Sequence, residues 1–321
     1  EDNEGWRPYT FDAELAAFEA KYTIPDVENA AVIYNELLKD YDPNAMRPDF
    51  LDPQLEKQTR SESWATKDYP QVANWLQKHQ YTIIRLAEVS RKNRCHFSIS
   101  PLSFTDRTSR HAAVKQWAFL LVRAANNDLA ENRIQPAIEK LVTLSKMAQH
   151  HYQQPTTLDK TLGIALEALA LSNFKKFTLE GNGGEQDLRA IESAMSEIKH
   201  DWASDIREIV EDERIKTKNF LCGMIYQVNP RGKTRLSRGP TAVLADVFKG
   251  TEVPPKQSPT GWMKVHKVGI ILGWFFLPAT PQKAGGIIDN AFKKSRLMAE
   301  SDFNWQRESK TISAIPIRLN C

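Results

Sequence analysis

Apolar residues recur every three or four positions along most of the chain, and this helical period is the feature that most constrains its fold. The pattern is most regular in the middle of the chain, where it predicts helices over about 106–129, 132–152 and 157–179. Only a few residues separate these helices, so consecutive ones should pack antiparallel. The third helix is apolar on most of its sides, which predicts a central position in the core.

The rest of the chain carries shorter or weaker helical patterns. They predict further helices over about 25–41, 68–86, 188–209, 241–249, 260–276 and 282–300. Three prolines interrupt the pattern between residues 42 and 67, which predicts an ordered loop there. The chain end "TISAIPIRL" alternates in polarity and is expected to be extended. We therefore expect an all-α fold: an irregular, non-repeating array of antiparallel helical hairpins, similar to helical-repeat proteins, with little or no sheet.

A chain of 321 residues is long enough for one large helical domain, and we expect one domain over 1–321. The basic segment "NPRGKTRLSRGP" offers an alternative boundary. In that case 1–228 forms the main helical array, and 229–321 forms a basic loop with C-terminal helices.

The stretch "TIPDVENAAVIYNELLKDY", residues 23–41, has the sequence features of a helix N-terminus but contains no residue that indicates catalysis. Pro25 suits the first turn of a helix, where its missing N–H is not needed. Ala31, Tyr34 and Leu38 then share one apolar face and should point into a core. Asn29 lies outside this face, so we expect it within the helix, facing solvent or bonded locally.

The composition excludes several classes of function. The net charge is only +3, from 43 basic and 40 acidic side chains, whereas general nucleic-acid binders usually carry a larger or more concentrated basic excess. The cysteines Cys95, Cys222 and Cys321 lack the spacing of a zinc site. A disulfide between Cys95 and Cys222 and a pair of buried thiols both remain open.

The most apolar segment is "VGIILGWFFLPA", residues 268–279, which is too short to span a bilayer and ends at a proline. We expect a helix over about 262–276 with one buried face. Whether residues 268–279 belong to the core or to an interface is left open. For the second case, the candidate interface residues are Trp262, Trp274 and Phe275.

The segment "RGKT" ends like a phosphate-binding loop, but position 227 is glutamine where that loop needs glycine, so no nucleotide site is expected. The surrounding stretch 229–240 contains four cations that could contact an anion such as a lipid head group or a wall polymer: Arg231, Lys233, Arg235 and Arg238. A solvated basic loop is the simpler interpretation.

No metal site, cofactor or catalytic residue is expected from the spacing of ligand types. Only one Glu-x-x-His pair occurs, Glu197 with His200, whereas di-iron bundles need two. His150 and His151 are neighbours, so on a helix they point about 100° apart. His96 and His111 have no companion at ligand spacing, and no nucleophile elbow is present.

Three quoted segments carry a resemblance to a known group: "IPDVENAAVIYNELL", "SRKNRCHF" and the stretch from "RHAAVKQWAF" to "GIALEALAL". Over about residues 24–172 the chain resembles uncharacterised exported helical proteins of planctomycete bacteria. The resemblance implies export to the cell envelope, with a membrane anchor or signal in a segment before Glu1. It implies no activity, cofactor or catalytic residue.

These observations lead us to expect a non-enzymatic helical interaction or scaffold module of the cell envelope, membrane-anchored in its full-length form, with a protein partner. The alternative is an envelope hydrolase that acts on a glycan or a peptide with carboxylates that the sequence does not identify. Neither nucleic acid nor nucleotide is expected as a partner.

Overall fold

The computed structural model describes residues 5–98, 105–179, 184–196, 202–236 and 280–301. Several predicted features lie outside these residues. They are the helices over 241–249 and 260–276, the apolar segment 268–279 with Trp262, Trp274 and Phe275, the Glu197–His200 pair, Arg238, Cys321 and the extended chain end.

The described residues are mostly helical, which confirms the predicted all-α fold with little sheet. The helices are α1 Asp12–Ala20, α2 Ala30–Lys39, α3 Pro43–Met46, α4 Pro53–Ser61, α5 Pro70–Lys78, α6 Gln80–Ser90, α7 Thr105–Ala130, α8 Ile134–Tyr152, α9 Thr157–Leu179, α10 Glu185–Ser196, α11 Trp202–Ile225 and α12 Pro281–Ser301. Three short strands accompany them: β1 Arg7–Pro8, β2 Tyr226–Val228 and β3 Thr234–Leu236.

The chain forms two compact units, one of residues 16–209 and one of residues 1–15 with 210–321. The two alternatives expected from the sequence, a single domain over 1–321 or a boundary at 228, stay predictions.

The core of the 16–209 unit is built around α7, whose residues from 120 to 129 are all buried. Leu121 of α7, Leu141 of α8 and Leu166 of α9 are buried, as the apolar spacing predicts. The prediction that α9 is central was wrong, since α9 exposes Leu158 and Leu179. The prediction relied on the apolar residues of α9, which cover several of its faces. The core forms around α7 instead, because polar side chains of α7 find partners inside the protein and can be buried.

Helices α8 and α9 pack closely where Gly163 faces α8. A Cβ atom at Gly163 would lie 3.2 Å from the carbonyl oxygen of Ala148 and 3.2 Å from the ring of Tyr152. Because only glycine leaves this space free, the backbones of the two helices can approach each other here.

The helix start at residues 23–41 differs from the prediction. Residues 25–28 form turns, α2 begins at Ala30, and Asn29 is its N-cap, with its side chain accepting a hydrogen bond from Ala31 N. Asparagine is among the preferred N-cap residues because its side-chain oxygen satisfies a free N–H of the first turn. Val27, four positions before Ala31, precedes the helix and is exposed.

The loop predicted over 42–67 contains two short helices, and the reason is local. Both helices begin with an Asp-Pro pair, Asp42-Pro43 in α3 and Asp52-Pro53 in α4. Each aspartate caps the helix: Asp42 accepts from Asn44 N, and Asp52 accepts from Gln54 N and Leu55 N. Proline at the first helical position adds a suitable φ angle, so these prolines start helices rather than stop them.

One predicted long helix is divided in the structure. The helix expected over 68–86 is α5 followed by α6, with His79 as the junction. Apolar spacing of three and four continues through this division, so periodicity alone cannot locate it. Of the helix expected over 188–209, the structure describes α10 and the first part of α11, and residues 197–201 between them lie outside the described residues.

The second unit contains a small antiparallel sheet in the order β1-β2-β3. The β2–β3 hairpin turns at Gly232, which has a φ of +76°. Beside the sheet, Arg214 and Lys218 of α11 form ion pairs with Glu14 and Asp289. These pairs connect α1, α11 and α12 around the apolar cluster of Cys222, Ile225, Tyr226, Ala284 and Ile288.

Cys95 and Cys222 are both free and buried, so the structure has the pair of thiols rather than the disulfide. Burial raises the pKa of both thiols, that of Cys222 to about 12. Among the described helices, none combines the length and the apolar character needed to cross a membrane.

Leu166→Ala should lower the free energy of unfolding by about 2–5 kcal/mol, because it removes buried methyl groups and leaves a cavity. Leu158→Ala on the same helix is the matched control, since Leu158 is 50% exposed and its loss should change stability by less than about 1 kcal/mol. Urea denaturation followed by circular dichroism measures both. Equal effects of the two substitutions would contradict the packing of α9.

Candidate functional site

The turn between α8 and α9 carries an unusual number of buried polar side chains. Within the eleven residues 150–160, six polar side chains are nearly inaccessible to solvent: His150, His151, Gln154, Thr156, Asp159 and Lys160. Buried polar groups need hydrogen-bond partners, so this run identifies a place where the protein organises polar contacts.

One group of these contacts holds residues 92–97, which we call the connector segment. Gln154 donates from Nε2 to Cys95 O (2.7 Å) and accepts at Oε1 from Phe97 N (3.1 Å). Gln153 accepts from Cys95 N (2.7 Å), and His150 donates from Nε2 to Lys92 O (2.7 Å). The side chains of α8 and of the turn after it therefore satisfy the backbone groups that this non-helical segment cannot satisfy itself.

Asn29 holds the connector segment from the other side. Its Oδ1 accepts from His96 N (2.9 Å) and its Nδ2 donates to His96 O (3.0 Å). The adjacent backbone continues this pairing, with Ala30 N donating to Arg94 O (2.9 Å). The polar start of α2 thus has a structural task, which agrees with the absence of reactive groups in its sequence.

The second group of contacts surrounds the carboxylate of Asp159, which is 1% exposed. His111 Nε2 lies 2.8 Å from Oδ1, and His151 Nδ1 lies 3.1 Å from the same oxygen. Arg110 donates from one terminal nitrogen to both oxygens, at 2.9 and 3.0 Å. Thr156 donates to Oδ2 (2.7 Å), while its hydroxyl accepts from Asp159 N (3.0 Å) and so caps α9.

The electrostatics of this cluster follow from burial and from these contacts. Burial raises the pKa of Asp159, but the hydrogen bonds from His111 and His151 and the charge of Arg110 outweigh it, so the pKa lies well below its usual value. Burial lowers the pKa of His151 despite its contact with Asp159. Asp159 is therefore ionised with Arg110 as its counter-charge, and a neutral His151 donates its Nδ1–H.

His150 is also neutral, since burial lowers its pKa to about 4. With Nε2–H bonded to Lys92 O, its Nδ1 accepts from the hydroxyl of Tyr34 at 3.3 Å. The ring of Tyr34 is fully buried and lies between Phe97 and Trp117. Both ring nitrogens of His150 are therefore hydrogen-bonded within the fold, so this imidazole is not free to transfer protons.

A cavity of about 640 Å³ lies among α5, α6, α7 and α8, and we call it the polar cavity. Asp128 lies in its wall and pairs with Arg133 Nε (2.7 Å) and Lys140 Nζ (2.6 Å). Two cations and one anion leave a positive excess at this wall. The polar residues that line the cavity are Thr66, Asn74, Gln77, Gln80, Asn127, Asp128, Arg133 and Lys140.

The predicted anion site lies in the β2–β3 hairpin. Arg231, Lys233 and Arg235 are exposed there, and Asn229 Oδ1 accepts from the backbone N–H groups of Arg231 and Lys233. The guanidinium of Arg235 lies 4.1 Å from the ring centre of Trp6. Contact with an anion stays a prediction, and Arg238 lies outside the described residues.

Sequence reasoning missed the cluster of His111, His151 and Asp159. His111 lies on α7, 48 positions before Asp159, so chain spacing cannot connect them. A signal was present nonetheless, since "HHYQQPTTLD" combines a polar run at a helix end with a Thr-x-x-Asp cap. The neighbouring His150, by contrast, belongs to the connector contacts.

Comparisons with family models, with curated proteins and with solved structures find no match to this chain.

Gln154→Ala should destabilise the protein by about 2–4 kcal/mol, because it leaves the buried Cys95 O and Phe97 N without partners. Gln135→Ala, at an exposed position of α8, should change stability by less than about 0.5 kcal/mol. Denaturation curves give the free energies, and hydrogen exchange at Phe97 N should accelerate only in the first variant. Unchanged exchange at that amide would contradict the role given to Gln154.

Proposed function

We propose that the chain is a non-enzymatic binding module of the cell envelope that holds a short acidic peptide segment of a partner protein in the polar cavity. The observation that carries this proposal is the composition of the cavity wall. It combines unpaired amide side chains with a positive excess at Asp128, Arg133 and Lys140. A volume of about 640 Å³ lies within the range of ligand sites in proteins.

The amides of the wall are available to a ligand. Asn74 and Gln77 lie one turn apart on α5, and Gln80 follows at the start of α6. Within the described parts of the chain, no group hydrogen-bonds to these three exposed side chains. Each amide both donates and accepts, which matches the alternating N–H and C=O groups of a peptide backbone.

The cations of the wall favour an acidic ligand. Arg133 is 47% exposed, and it uses Nε for Asp128 and one terminal nitrogen for Asn127 Oδ1 (3.0 Å). Its position at the rim allows a second carboxylate to approach the guanidinium. Such a charged hydrogen bond is stronger than one between neutral groups, so an Asp or Glu side chain should raise affinity.

The wall also favours binding over hydrolysis. A hydrolase with two carboxylates needs both of them to face the substrate. Among the described residues that line the cavity, Asp128 is the single carboxylate, and both of its oxygens are paired with cations. The interaction module is therefore better supported than the envelope hydrolase.

Export and a membrane tether in a segment before Glu1 are part of the same proposal. They are supported by the resemblance to exported helical proteins of planctomycete bacteria. Fractionation of cells that express the full-length polypeptide tests them, with recovery in the membrane fraction expected. Recovery in the cytosolic fraction would contradict the location without affecting the cavity.

Selection from a random peptide library on the immobilised chain should enrich sequences that contain Asp or Glu. Fluorescence anisotropy with the selected peptides should show at least tenfold weaker binding to the double variant Asn74→Ala and Gln77→Ala, because about 1.4 kcal/mol of hydrogen bonding is lost. Arg133→Gln should weaken binding and reduce its dependence on salt.

The matched control is the double variant Gln54→Ala and Gln135→Ala, which removes two exposed amides outside the cavity. Its affinity should equal that of the unmodified chain. Equal binding by the cavity variant and the control variant would place the peptide elsewhere on the protein. A selection that yields no peptide with a Kd below about 100 µM would contradict peptide binding itself.

A further inference from the structure

The cluster at the junction of α7, α8 and α9 brings together three side chains that bind metal ions in proteins. One ligand atom from each of His111, His151 and Asp159 can be chosen so that all lie within 4.8 Å of one another. These residues come from three different helices or their ends, and the fold alone makes them neighbours. Apart from this set, the described residues contain no other such group of three.

We propose that His111 Nε2, His151 Nδ1 and Asp159 Oδ1 bind a divalent transition-metal ion of the zinc type. Two imidazole nitrogens and a carboxylate oxygen are a common donor set for zinc. The site lies inside the 16–209 unit, and none of its three residues lines the polar cavity. Metal binding is therefore a property in addition to the proposed peptide binding.

Two of the three distances in the cluster are close to those of a metal site. For zinc bonds of about 2.0–2.1 Å in a tetrahedral arrangement, neighbouring ligand atoms lie about 3.3 Å apart. The two nitrogens lie 2.8 and 3.1 Å from Asp159 Oδ1. The third separation, between the two imidazoles, is within 4.8 Å for the ligand atoms chosen, so the rings would move towards a shared ion.

His151 can offer Nδ1 to a metal ion only after a change of tautomer. The ring is fully buried, and its Nε2 atom has no hydrogen-bond partner among the described residues. Without a metal ion, the proton lies on Nδ1, where it is donated to Asp159. A metal ion that replaces this hydrogen bond moves the proton to Nε2 and takes the lone pair of Nδ1, at the cost of a buried N–H without a partner among the described residues.

The other carboxylate oxygen is already held in the manner of metal sites. Thr156 donates to Asp159 Oδ2 at 2.7 Å, and Arg110 reaches the same oxygen at 3.0 Å. Contacts of this kind orient metal-binding carboxylates and contribute to affinity. They leave Oδ1 as the oxygen that faces both histidines.

Arg110 limits how tightly the site can bind a cation. Its guanidinium lies over the ring of Phe97 at 4.0 Å and touches both oxygens of Asp159. A second positive charge beside it is repelled, and the low exposure of the site strengthens this repulsion. Removing the charge of Arg110 should therefore tighten metal binding, whereas a purely structural ion pair predicts no effect on metal affinity.

Because Asp159 and His151 are almost inaccessible, the ion would stabilise the junction of three helices rather than meet a substrate. An ion that binds only the folded chain raises the stability of the chain, and the increase grows with the ratio of the ion concentration to Kd. This role agrees with the non-enzymatic function proposed above, and neither proposal requires the other.

The test is a titration of the full chain with Co²⁺, after treatment with a chelator, followed by the visible absorption of the bound ion. We expect one equivalent to bind. Asp159→Asn and His111→Gln should weaken binding at least tenfold, and Arg110→Gln should tighten it at least threefold. His79→Gln, remote in sequence and bonded to Ala45 O, is the control and should bind as the unmodified chain does.

Nitrogen NMR of the unmodified chain with ¹⁵N-labelled histidine gives a second measurement that does not depend on the folding of variants. Addition of Zn²⁺ should shift the ring signals of two of the seven histidines, those of His111 and His151. Absence of a saturable cobalt band, equal affinity in all variants, or ring shifts confined to other histidines would each overturn the proposal.

Discussion

Every buried backbone N–H and C=O group must find a partner, and this requirement governs how the helices of the 16–209 unit are connected. Helices satisfy their own backbones, but the segments between them do not. The connector segment, residues 92–97, obtains its partners from side chains of Asn29, His150, Gln153 and Gln154. Amides serve well here because one side chain supplies both a donor and an acceptor.

Amide side chains near the C-terminal end of α7 also satisfy backbone groups of another part of the chain. Asn126 donates to Thr59 O at 3.1 Å, and Asn127 donates to Trp64 O at 3.1 Å. Polar residues on the central helix therefore hold the last turn of α4 and the chain that follows it. Residues 120–129 of α7 are all buried, and Asn126 and Asn127 are tolerated there because both side chains are hydrogen-bonded.

The sequence predicted the parts of the fold that depend on apolar spacing. Helices α7, α8 and α9 have nearly the predicted bounds, and Leu121, Leu141 and Leu166 are buried. Apolar spacing did not predict helix ends that are determined by a single polar residue. The prolines at 43 and 53 predict an interruption of the helical pattern, whereas aspartate before proline is a strong start signal and begins a helix at both places.

The candidate sites were less predictable, for a different physical reason. Periodicity indicates which face of a helix is buried but not which helix it meets. Arg110 and His111 look like ordinary polar residues near the start of α7, and only the packing of α7 against α8 and α9 brings them to Asp159. The polar cavity likewise combines four helices, and its amides are common surface residues when taken singly.

The two proposed sites use opposite ends of one rigid element, and this decides how they can influence each other. Arg110 and His111 lie near the start of α7, whereas Asn127 and Asp128 lie near its end. At 1.5 Å per residue, about 25 Å of helix separates them. Coupling over that distance needs an element with two arrangements that both ligands favour differently. One continuous helix offers none, so metal at one end should raise the stability of the unit while leaving peptide affinity at the other end unchanged.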